Sequence, residues 1–119
     1  MSIFATDAVT TALHSALNGL SVRQKVIADN IANVDTPGFR ASSVDFESSL
    51  RSAISDGSIS DGTSGISTTA TNTPVGANGN NVDLRKETMA AMQSVFQYQM
   101  MTRAVSDKFD GMKTVIGAM

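Results

Sequence analysis

The stretch at residues 22–39, VRQKVIADNIANVDTPGF, decides the fold, because it holds both the end of a long helix and the signal that stops it. Pro37 has no N–H and disfavours helical geometry at Thr36, which predicts that the helix ends by about Asp35. Pro followed by Gly38 is typical of a type II turn, in which glycine supplies the positive φ at the third position. The chain is therefore expected to leave its first helix at a defined angle.

Upstream of this stop, apolar side chains recur through a predicted helix over residues 6–34. One heptad position is occupied by Leu13, Leu20, Ile27 and Val34. The neighbouring positions of the same stripe are Val9, Ala16, Leu17 and Ile31. This pattern is typical of an amphipathic helix that buries one face along its length. Arg23 and Asn30 interrupt the stripe; they either fix the register of a partner helix or lie where the stripe turns toward its flank.

A second amphipathic helix is predicted from residue 83 to about residue 117, with Asp83 as its N-cap. The expected seam is Leu84, Ala91, Tyr98, Val105, Met112 and Met119, alternating with Thr88, Val95, Thr102, Phe109 and Ile116. Its all-apolar part is Val105, Phe109, Met112 and Ile116. Six of the seven methionines lie in this last third of the chain. They suit a helix that meets several neighbours, or they fill gaps in its packing.

The middle of the chain has a different composition. Residues 40–54 fit a weak helix or an extended segment, and residues 55–81 are dominated by Gly, Ser, Thr, Asn and Asp. We expect the latter to form a long mobile loop, with or without a hairpin inside it, that orders only against a partner. Isolated apolar residues do not offset the entropy of ordering such a segment. The predicted fold is all-α: a helix in residues 1–35 and a helix in residues 83–119 pair as a coiled coil, joined by a largely irregular segment at 36–82.

Composition argues against most chemistry. The chain has 119 residues, 5% aromatic residues, no cysteine and a net charge of −2 without a basic cluster. We therefore expect no nucleic acid, small-molecule substrate, disulfide or thiolate chemistry. No apolar run is long enough to span a membrane, and the N-terminus does not resemble a cleaved signal peptide. His14, the single histidine, fits a solvated helix face, so we predict no catalytic residue, metal or cofactor and no enzymatic activity.

A lone hairpin of two such helices leaves apolar stripes exposed, which is typical of a structural subunit that completes its core with other chains. Two motifs agree with this interpretation. Residues 31–39, IANVDTPGF, resemble the N-terminal signature of bacterial flagellar rod, hook and related axial proteins. Residues 79–84, GNNVDL, resemble the segment that opens the C-terminal helix of the small rod proteins in that family. VDF at residues 44–46 and the closing KF and MK pairs at 108–109 and 112–113 extend the resemblance, which leaves out only residues 55–78.

The resemblance identifies a set of residues expected to act in assembly. They are Asn30, Ala32, Asn33, Thr36, Pro37, Gly38, Phe39, Asn80, Asn81, Val82, Asp83 and Leu84. It implies a subunit of the proximal rod of the basal body, whose terminal helices pack into tubes that transmit torque and enclose an export channel. It also implies passage through the flagellar type III export apparatus without a cleaved signal. The implied partners are copies of the chain, FlgC-like and FliE-like rod proteins, and components of the membrane ring and export gate. The alternatives are another small rod protein, FlgC-like, and a coiled-coil export chaperone or adaptor.

Overall fold

The computed structural model describes the backbone of residues 3–57 and 65–117, together with the side chains in those ranges other than 3–7, 109 and 111–116. The elements are α1 (Ile3–Ala32), β1 (Ser42–Asp45), α2 (Glu47–Asp56), β2 (Ser67–Ala70) and α3 (Leu84–Gly117). The two long helices give the molecule an elongated shape of 66 × 27 × 14 Å. The expectation of one long helix toward each end of the chain is therefore confirmed.

The two long helices lie antiparallel, as a hairpin. Near the end of the molecule where α1 begins, Lys108 Nζ donates a hydrogen bond to Thr10 Oγ1 at 2.6 Å. Further along, Arg23 Nη1 donates to Gln97 Oε1 at 3.4 Å. Because residue numbers rise in α1 as they fall in α3, the first turn of one helix lies beside the last turns of the other.

The predicted stripe of α1 is buried in its central part. Ala16, Leu20 and Ile27 are buried, while Leu13 and Val34 are half-buried. The stripe therefore marks the side of α1 that faces the rest of the chain.

The two polar residues that interrupt this stripe hold β1 against α1. Asn30, which is 1% exposed, donates from Nδ2 to Ser42 O at 2.8 Å and accepts at Oδ1 from Ser42 N at 3.2 Å. Its side chain thus pairs with the backbone as a neighbouring strand would. Arg23 Nη2 donates to Val44 O at 2.8 Å. Neither interpretation from the sequence foresaw this, since both considered only contacts between helices.

The middle of the chain is more ordered than its composition suggested. β1 and β2 pair antiparallel, from Ser42 opposite Ala70 to Asp45 opposite Ser67, and α2 follows β1 almost directly. The expectation of a strictly all-α fold is therefore wrong, because the middle segment contains two short strands. It failed because strand pairing and asparagine side chains satisfy much of the backbone here, a contribution that counting apolar residues leaves out. Residues 58–64 of the expected loop lie outside the described part of the chain.

A small apolar core joins this middle segment to α1. Ala16 and Leu20 pack with Val44 and Phe46. A β-carbon built on Gly19 would overlap the ring of Phe46, so the ring lies directly on the helix backbone. Glycine at this position, which the helical pattern alone would disfavour, is what lets the aromatic ring approach.

Over the first half of α3, the predicted seam is not the side of the helix that contacts the rest of the chain. Leu84, Val95 and Tyr98 are exposed, whereas Glu87 and Ser94 on another side are buried. The sequence pattern favoured the more apolar of two neighbouring stripes, but the contact with the rest of the chain uses the more polar one. Of the remaining predicted positions, Val105 is half-buried. Phe109, Met112 and Ile116 also belong to α3, and their side chains lie outside the described set.

Candidate assembly site

The turn predicted after the first helix is present. Phe39 N donates to Thr36 O at 3.2 Å, closing a four-residue turn. Gly38 at its third position has φ +75°, as a type II turn requires. A β-carbon on Gly38 would meet nothing within 4 Å, so the requirement for glycine is conformational and not one of space. The prediction drawn from Pro37-Gly38 is confirmed.

Asn33 connects the end of α1 to this turn. Its Nδ2 donates to Asp29 O at 2.8 Å, one turn back in the helix. Asn33 O accepts from Thr36 N at 3.0 Å, and its Oδ1 accepts from Thr36 Oγ1 at 3.0 Å. These bonds satisfy groups that the end of a helix leaves without partners.

The second motif lies directly against the first. Gly38 N donates to Asn78 O at 2.9 Å. Gly79 has φ +80° and is so close that a β-carbon there would lie 3.2 Å from Gly38 Cα. Two glycines therefore allow two turns, 40 residues apart in sequence, to meet backbone to backbone. We call residues 33–41 together with residues 76–82 the joint.

Asn80 bonds to the backbone of the first motif at two points. Its Nδ2 donates to Asn33 O and to Thr36 O, each at 2.8 Å. Its Oδ1 accepts from Val82 N at 2.7 Å, and the residue is 7% exposed. A single amide side chain thus joins the end of α1, the turn and the approach to α3.

Asn81 performs the same role on the other side of the joint. Its Oδ1 accepts from Ala41 N at 2.6 Å, and its Nδ2 donates to Thr71 O at 3.2 Å. Its own N–H donates to Phe39 O at 3.2 Å. Because Asn81 is buried, each of these bonds is shielded from competition with water.

The joint leads directly into α3. Asp83 Oδ1 accepts from Lys86 N at 3.2 Å, so the N-cap predicted at Asp83 is confirmed. Val82 is half-buried, while Ala32, at the end of α1, and Leu84, at the start of α3, are exposed. The structure therefore brings together the predicted residues from Asn33 to Phe39 and from Asn80 to Asp83, while Ala32 and Leu84 lie outside this contact.

Arg23, Phe46 and Glu47 form a second cluster, which the sequence analysis did not predict. The guanidinium of Arg23 lies 4.8 Å from the centre of the Phe46 ring, and its Nη2 pairs with Glu47 Oε1 at 2.6 Å. Partial burial raises the pKa of Glu47. The hydrogen bond and positive charge of Arg23, together with backbone hydrogen bonds, lower it by more, so the pKa of Glu47 is below its usual value. The only sequence signal was the charged residue within the apolar stripe.

The most prominent apolar surface among the described side chains lies on α3. Met89, Met92, Phe96 and Met100 are 66%, 70%, 64% and 57% exposed. Their spacing of three or four residues places them on one side of the helix. We call these four residues the α3 apolar face. Ala91, Val95 and Gln99 flank it and form a shallow groove with Met92 and Phe96.

The described side chains show little that suggests chemistry. His14 is exposed, as its position on the helix predicted. Within the described residues, no three histidine, cysteine, aspartate or glutamate side chains are grouped so that they could hold a metal ion. Among the same residues, no helix combines the length and the apolar character needed to cross a bilayer.

An elongated helical hairpin with a hydrogen-bonded joint and an uncovered apolar side is typical of a structural subunit.

Comparison with known proteins agrees with this assignment to a structural class. Residues 12–40 match the family described as flagella basal body rod protein. Over most of its length the chain is similar to proteins named flagellar basal body rod protein FlgB. The Bacillus subtilis protein is 38% identical, covering 87% of this chain and 89% of that protein. The Escherichia coli protein is 34% identical, covering 92% and 94%, and the Borreliella burgdorferi protein is 32% identical, covering 87% and 91%.

The chain therefore belongs to the flagellar basal body rod protein family. The resemblance found in the motifs at residues 31–39 and 79–84 is confirmed. The matched segment at residues 12–40 covers most of α1 and the turn, so it contains residues 33–40 of the joint.

Proposed function

We propose that this chain is a structural subunit of the flagellar basal-body rod, the drive shaft that transmits torque and encloses the export channel. The observation that carries the proposal is the α3 apolar face, which is uncovered in the single chain. Membership of the rod protein family supports it. The FlgC-like alternative and the export chaperone or adaptor are not favoured, because the full-length relatives carry the name FlgB.

The α3 apolar face suits burial between subunits. Three of its four side chains are methionines, which adapt to surfaces of different shape, and the fourth is an aromatic ring of the kind that anchors interfaces. Exposing such side chains on one side of a helix is unfavourable unless another chain covers them. In this proposal, neighbouring rod subunits cover that side.

The terminal helices are the proposed means of assembly. We infer that α1 and α3 pair with each other as a coiled coil through the seam predicted from the sequence, and that the sides left exposed pack on neighbouring subunits. The members of the seam are Leu13, Leu20, Ile27, Val34, Val105, Phe109, Met112 and Ile116. The joint then fixes the angle and register at which α1 and α3 are presented. On this basis the chain functions in three parts: residues 1–35, 36–82 and 83–119.

The wider role follows from the same proposal. The subunit is exported through the flagellar type III apparatus and joins the proximal rod. Its neighbours there are copies of itself, FlgC-like and FliE-like rod proteins, and the membrane ring and export gate. It has no enzymatic activity, since its contribution is mechanical.

The test is to place a charge on the α3 apolar face. Phe96→Asp should leave the isolated chain as stable as the wild type, because the ring is mostly exposed, while burial of a carboxylate between subunits is strongly unfavourable. The variant should be produced and exported, yet be absent from purified basal bodies, with loss of motility in soft agar. Ile54→Asp is the matched control, since Ile54 is an exposed apolar residue on α2. Normal incorporation of Phe96→Asp would contradict the proposal.

A further inference from the structure

We propose that Asn78 is a modification site, at which spontaneous deamidation disables chains whose joint stays open. The chain contains two Asn-Gly pairs, Asn18-Gly19 and Asn78-Gly79. Glycine offers no side chain to hinder attack on the preceding asparagine, so both pairs have the same intrinsic susceptibility. The structure places them in very different surroundings. The proposal concerns the chemistry of the chain itself and stands independently of its role in the rod.

The reaction needs only water. The backbone nitrogen of Gly79 attacks Cγ of Asn78, forming an N–C bond. The Cγ–Nδ2 bond breaks, and ammonia leaves with the proton that Gly79 N has lost, which gives a five-membered succinimide. Water then opens the ring at either carbonyl, giving aspartate or isoaspartate. Overall, one water is consumed and one ammonia released, with no change of oxidation state.

The closed joint restrains the reacting groups with hydrogen bonds. Gly79 N donates to Gly76 O at 3.0 Å, and Asn78 Oδ1 accepts from Asn80 N at 3.1 Å. The carbonyl of Asn78 accepts from Gly38 N at 2.9 Å. The nucleophile, the side-chain amide and the backbone between them are therefore all restrained. Asn78 is exposed, so water reaches it as soon as these bonds break.

The isoaspartate product does not fit the closed joint. Its backbone runs through Cβ and Cγ of residue 78, which adds one methylene between Cα of residue 78 and the nitrogen of Gly79. The former carbonyl of residue 78, which accepts from Gly38 N, becomes a free carboxylate. A β-carbon on Gly79 would lie only 3.2 Å from Gly38 Cα, so little room exists for a longer backbone. A chain modified in this way has lost the contact between its two motifs, and the change is chemically irreversible without a repair enzyme.

The other Asn-Gly pair provides an internal control. Asn18 is exposed but lies within α1, where helical geometry keeps the nitrogen of Gly19 away from the side chain. Opening the joint leaves this helix in place. Global unfolding, in contrast, releases both pairs together.

The experiment follows deamidation at both sites in the purified full-length chain at mildly alkaline pH. Peptide mapping by mass spectrometry and enzymatic methylation of isoaspartate give the two rates. In concentrated urea, Asn18 and Asn78 should react at similar rates, and in buffer both should be slower. Asn80→Ala removes the side-chain bonds to Asn33 O and Thr36 O, and should accelerate Asn78 on the order of tenfold while Asn18 stays slow.

Two results would overturn the inference. One is reaction of Asn78 in buffer as fast as in urea, since the closed joint would then give no protection. The other is isoaspartate-containing chain, separated by chromatography, that keeps wild-type hydrogen-exchange protection at Gly38 N. Both measurements remain decisive if Asn80→Ala unfolds the whole chain, because neither uses that variant.

Discussion

Asn80→Asp tests whether the joint depends on one amide group. The substitution keeps the size of the side chain and its acceptor for Val82 N, but replaces the donor to Asn33 O and Thr36 O with a negatively charged oxygen. Each lost hydrogen bond costs about 0.5–1.5 kcal/mol. Both carbonyls keep a partner, Thr36 N and Phe39 N respectively, so neither is left fully unsatisfied. Burial of the carboxylate beside two carbonyl oxygens adds to the cost, and the total is roughly 2–4 kcal/mol.

Hydrogen exchange at the amides of Gly38 and Ala41 measures this loss locally. If the joint opens as a unit, a loss of that size makes exchange faster by on the order of 30- to 700-fold. At acid pH the introduced carboxyl is protonated and can donate one hydrogen bond, so part of the protection should return. Asn72→Asp, at an exposed asparagine outside the joint, is the control and should change protection little. Unchanged exchange at Gly38 in a folded Asn80→Asp chain would refute the reasoning.

Three further outcomes are expected. Gly38→Val should lower the stability of the turn by about 1–3 kcal/mol, because a β-branched residue resists φ +75°, and Gly38→Ala should lower it less. Soft-agar motility and the amount of protein in basal bodies should be lowest for Gly38→Val and intermediate for Gly38→Ala. Gly19→Ala should lower the free energy of unfolding by about 1–3 kcal/mol, because its β-carbon would overlap the ring of Phe46. Gly65→Ala, where a β-carbon meets open space, is the control and should leave the free energy of unfolding unchanged. The lowered pKa of Glu47 stabilises the folded chain above the usual glutamate pKa, and this stabilisation is lost as the pH falls through the lower folded value. Urea unfolding across that range should show it in the wild type and not in Glu47→Gln, and an identical pH profile in the two would contradict the role assigned to Arg23.

Local sequence rules predicted the parts of the fold that depend on neighbouring residues. The stop at Pro37, the positive φ of Gly38 and the N-cap at Asp83 each follow from the conformational preferences of one or two residues. The heptad stripe of α1 likewise follows from periodicity. These signals give where helices end and which side of α1 is buried.

The contact between the two motifs could not be predicted from local sequence rules. The bonds from Asn80 to Asn33 and Thr36 connect residues more than 40 positions apart, and asparagine in a loop is equally common as a simple turn residue. The ordering of β2 depends on the same kind of distant bond. The four residues of β2 are all exposed, so no apolar pattern in the sequence indicated a strand there.

The side of α3 that contacts α1 also could not be predicted from the sequence. Two adjacent stripes run along that helix, and the rule that apolar side chains turn inward assumes that the single chain is the complete structure. Ser94 is buried and the α3 apolar face is exposed, which reverses the rule. In a subunit whose core is completed by other chains, burial in one chain is a poor guide to burial in the assembly.

The antiparallel arrangement of α1 and α3 determines how the molecule responds to force. The start of α1 and the end of α3 lie together at one end of the hairpin, near the bond between Thr10 and Lys108, and the joint lies at the other. Tension applied between the two termini therefore separates the helices progressively from the open end, so that contacts break a few at a time under low load. The same tension reaches the joint last, after the whole length of the helices has been peeled apart.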